Sequence, residues 1–97
     1  MAPSRKRLLV PNHIGEQLRH FHPDLKAGVK AALRQILEDP PCGKPLKDEL
    51  GGLRAYKVKR FRIIYRASGN VVGIVAIGPR RVIYEETFKL LMKTEDS

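Results

Sequence analysis

A single cysteine, Cys42, stands in a chain of 97 residues. An internal disulfide is therefore excluded, and a reducing compartment is expected. Catalysis by that thiol is disfavoured too, because Cys42 lies in a Pro-Pro-Cys-Gly turn with no histidine near it in the chain. Nowhere do roughly 18 apolar residues run together, so no membrane-spanning helix and no membrane partner is expected. The apolar stretch Leu8-Leu9-Val10 behind the basic start is too short for a signal peptide, and the cytoplasm is the expected location. His13, His20 and His22 fall close together, and His20-x-His22 can touch a metal. No cysteine or carboxylate pair completes a ligand set, so neither a metal nor a cofactor is expected. His20 and His22 belong instead on the exposed side of a helical hairpin. Nothing resembles a hydrolase triad, and there is no repeat and no low-complexity tract.

Acidic residues are also scarce: 10 Asp+Glu face 19 Lys+Arg, a net charge of +9. Such a surplus on so short a chain favours a polyanion, nucleic acid first among candidates. An acidic protein partner fits the same charge, and a merely solvated basic surface is the plain alternative. The length suits one domain with a modest core over residues 1–97, of which 1–6 read as a disordered tail.

Residues 7–10 read as a short strand ending at Pro11. A first helix starts at Asn12, whose side chain can cap it, and carries Ile14, Leu18 and Phe21 on one stripe. After His22, Pro23 and Asp24 suit the first turn of a second helix. Leu25, Val29, Ala32, Leu33, Ile36 and Leu37 form its apolar face, and Pro40-Pro41 ends it near Asp39. Residues 40–52 read as a loop tacked to the core by Leu46 and Leu50. Strands follow at 53–58, 61–67 and 71–77, with Ser68-Gly69-Asn70 as a turn between the last two. The run Val71–Ile77 is apolar throughout and should be central and buried on both faces. Gly78-Pro79 ends it, and a terminal helix over roughly 84–93 offers Phe88, Leu90 and Leu91. The fold class is α+β: a small, mostly antiparallel sheet on an N-terminal αα-hairpin, with a C-terminal helix.

If Lys59-Arg60 is a two-residue hairpin turn, Val58 pairs with Phe61, Lys57 with Arg62, Tyr56 with Ile63 and Ala55 with Ile64. Alternation then puts Tyr56, Val58, Phe61, Ile63 and Tyr65 on one face, covered by the helices. The other face carries Lys57, Arg62 and Arg66 with Ala55 and Ile64. Two cations placed directly opposite repel each other. Keeping Lys57 beside Arg62 does nothing for folding, which suggests that they await an anion. Arg80 and Arg81 follow the last strand, and Tyr84 lies one turn on. Arginine forks bind phosphate through two bonds. The set suits RNA cleavage without a metal, in which the ribose 2′-hydroxyl attacks the adjacent phosphorus. Fixed cations then stabilise the charge that builds on the nonbridging oxygens. One group must take the 2′ proton and another must protonate the leaving 5′ oxygen; a lysine or tyrosine can serve if nearby positive charge lowers its pKa. An aromatic ring can also stack on a base. The plain alternatives are a packing role for Tyr84 and solvated surface positions for Lys57, Arg62 and Arg81.

The stretch Asp39-Pro40 … Gly43-Lys44-Pro45-Leu46-Lys47 … Leu50-Gly51-Gly52-Leu53, then Lys57-Val58 … Phe61-Arg62-Ile63-Ile64-Tyr65, then Ile77-Gly78-Pro79-Arg80-Arg81 … Tyr84, resembles the RelE/ParE superfamily of bacterial toxins. The resemblance runs from about residue 8 to near the end, and rests on the order and spacing of these segments. It implies a RelE-like β-α-α-β-β-β core with a C-terminal helix. It also implies a type II toxin that cuts mRNA on the 70S ribosome, a cognate antitoxin that wraps it, and operator DNA bound only as the toxin–antitoxin complex. Arg62 matches the family arginine in the Phe61–Tyr65 segment, Arg80 the arginine after the strand-ending glycine, Tyr84 the C-terminal tyrosine, and Lys57 a basic residue on the preceding strand. Lys59 either matches a second basic residue or is simply the turn. Lys57, Arg62, Arg80 and Tyr84 are thus the candidate catalytic residues, with Lys59, Arg66 and Arg81 as candidate RNA contacts. Two departures stand out: Lys59-Arg60 replaces the usual Gly-Asp turn, and Pro79 the usual histidine.

The resemblance leaves two other functions in view. One is DNA gyrase inhibition, as in the ParE branch, which typically lacks the basic-plus-tyrosine set. The other is a non-catalytic homologue acting with its antitoxin at operator DNA.

Overall fold

The computed structural model describes residues 6–96, with side chains described to residue 92. The tail expected over 1–6 lies, Lys6 apart, outside the described residues. The elements in order are β1 (Arg7–Leu9), α1 (Asn12–Arg19), α2 (Pro23–Glu38), β2 (Lys44–Pro45), β3 (Arg54–Val58), β4 (Phe61–Ser68), β5 (Val71–Pro79) and α3 (Arg80–Asp96). The sheet runs β1-β5-β4-β3-β2, with β1 parallel to β5 and the other pairs antiparallel. This is the expected α+β arrangement with one addition, the two-residue edge strand β2. Its Pro45 lies at the sheet margin, where a missing N–H is tolerated.

Local chemistry explains most boundaries. Helix α1 begins at Asn12, but Pro11 is its cap and no side chain caps it, which corrects the role expected of Asn12. In α2 the cap is His22, whose Nδ1 accepts the Asp24 amide at 3.1 Å, and Pro23 opens the helix. The β4–β5 turn has Gly69 at φ 58°, a conformation glycine adopts without strain. The β3–β4 register is the expected one: Val58↔Phe61, Lys57↔Arg62, Tyr56↔Ile63 and Ala55↔Ile64. Its turn puts Lys59 at φ 54°, the left-handed region that favours glycine or asparagine.

Two cores sandwich the sheet. Under α1 and α2 lie Val29, Ile36, Val58, Ile63, Tyr65, Val72, Ile74 and Ile77. Under α3 lie Leu53, Ala55, Ile64, Ala76 and Ile83, with Leu46 and Leu50 packed against them. A bulge opposite Ile64/Tyr65 turns both Val75 and Ala76 toward α3, so β5 changes face parity midway.

The C-terminal helix differs most from expectation. It starts at Arg80, four residues early, because β5 continues pairing to Pro79 (opposite Phe61) and Gly78-Pro79 does not end it. The Arg80 amide then donates to the Arg60 carbonyl at 2.9 Å, so the helix leaves directly from the hairpin tip. Ile83 and Thr87 face the sheet, fully buried, and Leu91 packs behind them, whereas Phe88 and Leu90 are exposed.

Tyr65 fastens the loop after α2. Its hydroxyl donates to the Pro40 carbonyl at 2.6 Å and accepts the Gly43 amide at 2.8 Å. Burial pushes the phenol pKa from 10.0 up to about 12. A Cβ at Gly43 would land on the Tyr65 hydroxyl, so only glycine fits there. Arg54 Nη1 donates to the carbonyls of Pro41 and Gly43 as well.

Candidate nucleic-acid interface

Three pieces of chain meet at the tip of the β3–β4 hairpin: the turn, the last residues of β5 and the first turn of α3. The antiparallel register puts Lys57 directly across from Arg62, and Arg62 across from Gly78. Directly opposed side chains begin only about 5 Å apart. The pairing of Pro79 with Phe61 brings Arg80 and Arg81 to the same place. The result is an open groove of ≈ 470 Å³ lined by Lys57, Lys59, Arg60, Arg62, Pro79, Arg80 and Arg81: six cations and one proline. None of the ion pairs among the described residues involves these six. The Arg62 guanidinium donates to the Phe61 carbonyl at 3.0 Å and is half-buried, so it is the most constrained of the set.

The helix adds to this field. Its first turn lies at the groove, and the positive end of its dipole points there. Tyr84 follows Arg80 by one turn on the same side of α3, a rise of about 5.4 Å. It is half-buried against the second core and does not line the groove. Gly78 is what lets the helix sit so close, since a Cβ there would meet Ile83 Cδ1 at 2.9 Å.

The groove therefore gathers Lys57, Lys59, Arg62, Arg80 and Arg81, with Tyr84 a turn away. It does not gather Arg66. That residue shares Arg62's face but lies four positions along β4, about 13 Å away. It lines a separate hollow of ≈ 450 Å³ with Leu9, Val10 and Val75, among others. One groove residue, Arg60, and one residue that shapes the groove from behind, Gly78, were not foreseen from sequence as part of the site. Arg60 was read only as a turn residue, although a basic dipeptide at a hairpin tip is itself a cue. Gly78 was read as a strand end, and no local pattern reveals a close helix–sheet approach. Chemically, the groove can hold a doubly contacted phosphate and stabilise added charge on its oxygens.

Residues 12–84 match the family model described as ParE toxin of type II toxin-antitoxin system, parDE. Among solved structures, the fold is similar to that of a double arginine mutant of E. coli toxin RelE in the free state. The TM-score is 0.72 at 16% identity, over 93% of this chain and 97% of that one. It is similar to the M. tuberculosis RelBE2 toxin–antitoxin complex, with TM-score 0.67, 24% identity, and 78% of this chain and 99% of that one covered. It is also similar to the S. aureus YoeB–YefM complex, with TM-score 0.64, 18% identity, and coverage of 75% and 94%. At such identities the likeness is one of fold. No curated protein matches the chain in sequence.

Proposed function

The chain is a member of the ParE toxin family of type II toxin–antitoxin systems, and we propose that this toxin is a ribosome-dependent endoribonuclease cutting mRNA without a metal. The observation that carries this reading is the groove: six cations surround a space that fits a nucleotide phosphate, and no described acidic side chain lines it. In a 2′-hydroxyl attack the added negative charge appears on nonbridging oxygens, where the Arg62 and Arg80 forks act most strongly in the transition state. Lys57 or Tyr84 takes or returns the proton. Lys59 and Arg81 hold flanking phosphates. Arg66, on its separate hollow, is too far from the groove to touch the same phosphate and contacts RNA only at a distance from it.

The partners follow from the same reading. A cognate antitoxin neutralises the toxin, in keeping with the antitoxin-bound neighbours RelBE2 and YoeB–YefM. The complex of the two, and not the toxin alone, binds operator DNA. The match to a ParE model favours one second reading, inhibition of DNA gyrase.

Overexpression separates the two. RNA cleavage stops translation, and primer extension maps cuts inside ribosome-bound codons. Gyrase inhibition instead blocks replication and induces the DNA-damage response. Arg80→Ala removes an exposed side chain and Tyr84→Phe keeps the packing ring, so both variants stay folded. Each is expected to relieve toxicity by at least about tenfold in colony survival, the loss of one transition-state contact. Full toxicity in both would remove the assigned roles.

A further inference from the structure

A second hollow, of ≈ 340 Å³, opens on the other side of the hairpin tip. Its walls are Phe61 from β4, Leu25 and Asp24 from the first turn of α2, the cap residue His22, and Lys59 and Arg60 from the turn. Lys59 and Arg60 line the cationic groove as well. The two spaces therefore meet across one two-residue turn. Consecutive strand residues face opposite ways, so Arg62 serves the groove and Phe61 the hollow.

Their chemistry differs in a way that sorts the parts of a nucleotide. The groove offers six cations and no aromatic ring. The hollow offers an aromatic ring, a leucine, an imidazole and a carboxylate. Asp24 offsets one of the two cations, Lys59 and Arg60, that line the hollow, so it is a weaker anion seat than the groove with its six cations and no carboxylate. The α2 amides are no lure either, because His22 already takes that of Asp24. Phe61 is held by Phe21 in an edge-to-face contact, with centroids 5.4 Å apart and planes at 67°. His22 is fixed as well. Its Nδ1 accepts a hydrogen bond, so the neutral ring carries its proton on Nε2 and presents a donor. The Asp24 carboxylate lies 3.9 Å from that Nδ1, and both side chains are about three-quarters accessible, at 74% and 78%. A donor and an acceptor thus stand side by side next to a fixed ring, which complements a base edge bearing both kinds of group.

We propose that this hollow binds a nucleobase of the single-stranded RNA whose phosphate lies in the groove, with Phe61, His22 and Asp24 as the base-contacting residues. The inference rests on the RNA-cleaving reading and deepens it: the toxin itself contributes to base preference at the position next to the cut.

The test uses the purified toxin at low salt and a trinucleotide RNA with 2′-deoxy sugars at its first two positions, which 2′-hydroxyl attack cannot cut. The comparison ligands are the same trinucleotide made abasic at its first or its last position. One of the two abasic ligands is expected to bind about tenfold more weakly, the value of one stacked base. His22→Asn keeps a side chain able to cap α2 but removes the imidazole. Together with Phe61→Leu, it is expected to shrink that tenfold difference to under about twofold, while affinity for the abasic ligand stays unchanged. Equal affinity for intact and both abasic RNAs overturns the proposal, as does a difference that survives both substitutions. Arg62→Ala with Arg81→Ala separates the two levels. If that double variant loses RNA affinity while no base dependence exists, only the hollow is misassigned. If it binds RNA as well as the unaltered protein does, the nuclease reading falls and this inference with it.

Discussion

The two faces of the central sheet treat the same three strands in opposite ways. Toward α1 and α2, the residues of β3, β4 and β5 are apolar to the hairpin tip, and Val58, Ile63, Tyr65 and Ile77 are buried. Toward α3, the core stops at Ala55, Ile64 and Ala76. The next cross-strand row is Lys57, Arg62 and Gly78, two cations and a glycine. Alternation would have let the second core continue to the tip. The chain forgoes that burial and sets like charges opposite each other, a loss that a bound anion would offset. The closed face serves stability, and the open end of the other is the proposed binding site.

The largest test of this contrast compares neighbours. Ile63→Ala, on the closed face, is expected to cost about 2–5 kcal/mol of stability. Arg62→Ala, one residue away on the open face, should cost less than about 1 kcal/mol or even stabilise, because it relieves repulsion. Urea denaturation of the two variants measures both, and similar losses would erase the distinction between the faces.

Smaller in effect is the polar latch on the closed side. Tyr65→Phe leaves the Pro40 carbonyl and Gly43 amide without their partner and is expected to cost about 1–3 kcal/mol. The phenol pKa rises from 10.0 to about 12 on folding, so the folded state holds the proton more tightly. That contribution is complete below pH 10 and disappears as pH climbs toward 12. The advantage of Tyr65 over phenylalanine should therefore narrow across this window, followed by urea melts from about pH 9 to about pH 12. A constant difference would refute the latch as described.

Smallest is the response of the open end to a bare anion. Sulfate at roughly four times its Kd should stabilise the protein by about 1 kcal/mol. Chloride at matched ionic strength should do less, and Lys57→Ala with Arg62→Ala should abolish the difference. Thermal melts that show the same gain with and without the two cations would place the anion elsewhere.

Much of this arrangement was legible in the residues themselves. A two-residue turn between alternating strands admits one register, and Lys57 opposite Arg62 followed from it before any coordinates. The apolar stripe of α2 was equally plain. Other features escaped because no short-range pattern encodes them. Arg66 shares a face with Arg62, and alternation specifies a face but not a distance. Pro79 reads as a terminator, yet here it is the last paired residue of β5, with the helix following at once. That early start sets the inward face of α3 to Ile83, Thr87 and Leu91, leaving Phe88 and Leu90 exposed. The bulge at Val75 and Ala76, and the fit of Ile83 over Gly78, depend on neighbours distant in sequence.

Composition and periodicity were enough to dictate a basic α+β chain with a paired cationic row at one hairpin tip, because side-chain alternation and charge count are local properties. Gathering Arg80 and Arg81 to that row, excluding Arg66 from it, and opening the hollow beside Phe61 were matters of long-range packing. They depend on where β5 stops pairing and how closely α3 can lie on Gly78, and backbone hydrogen bonds and van der Waals contact settle both only once the sheet has formed.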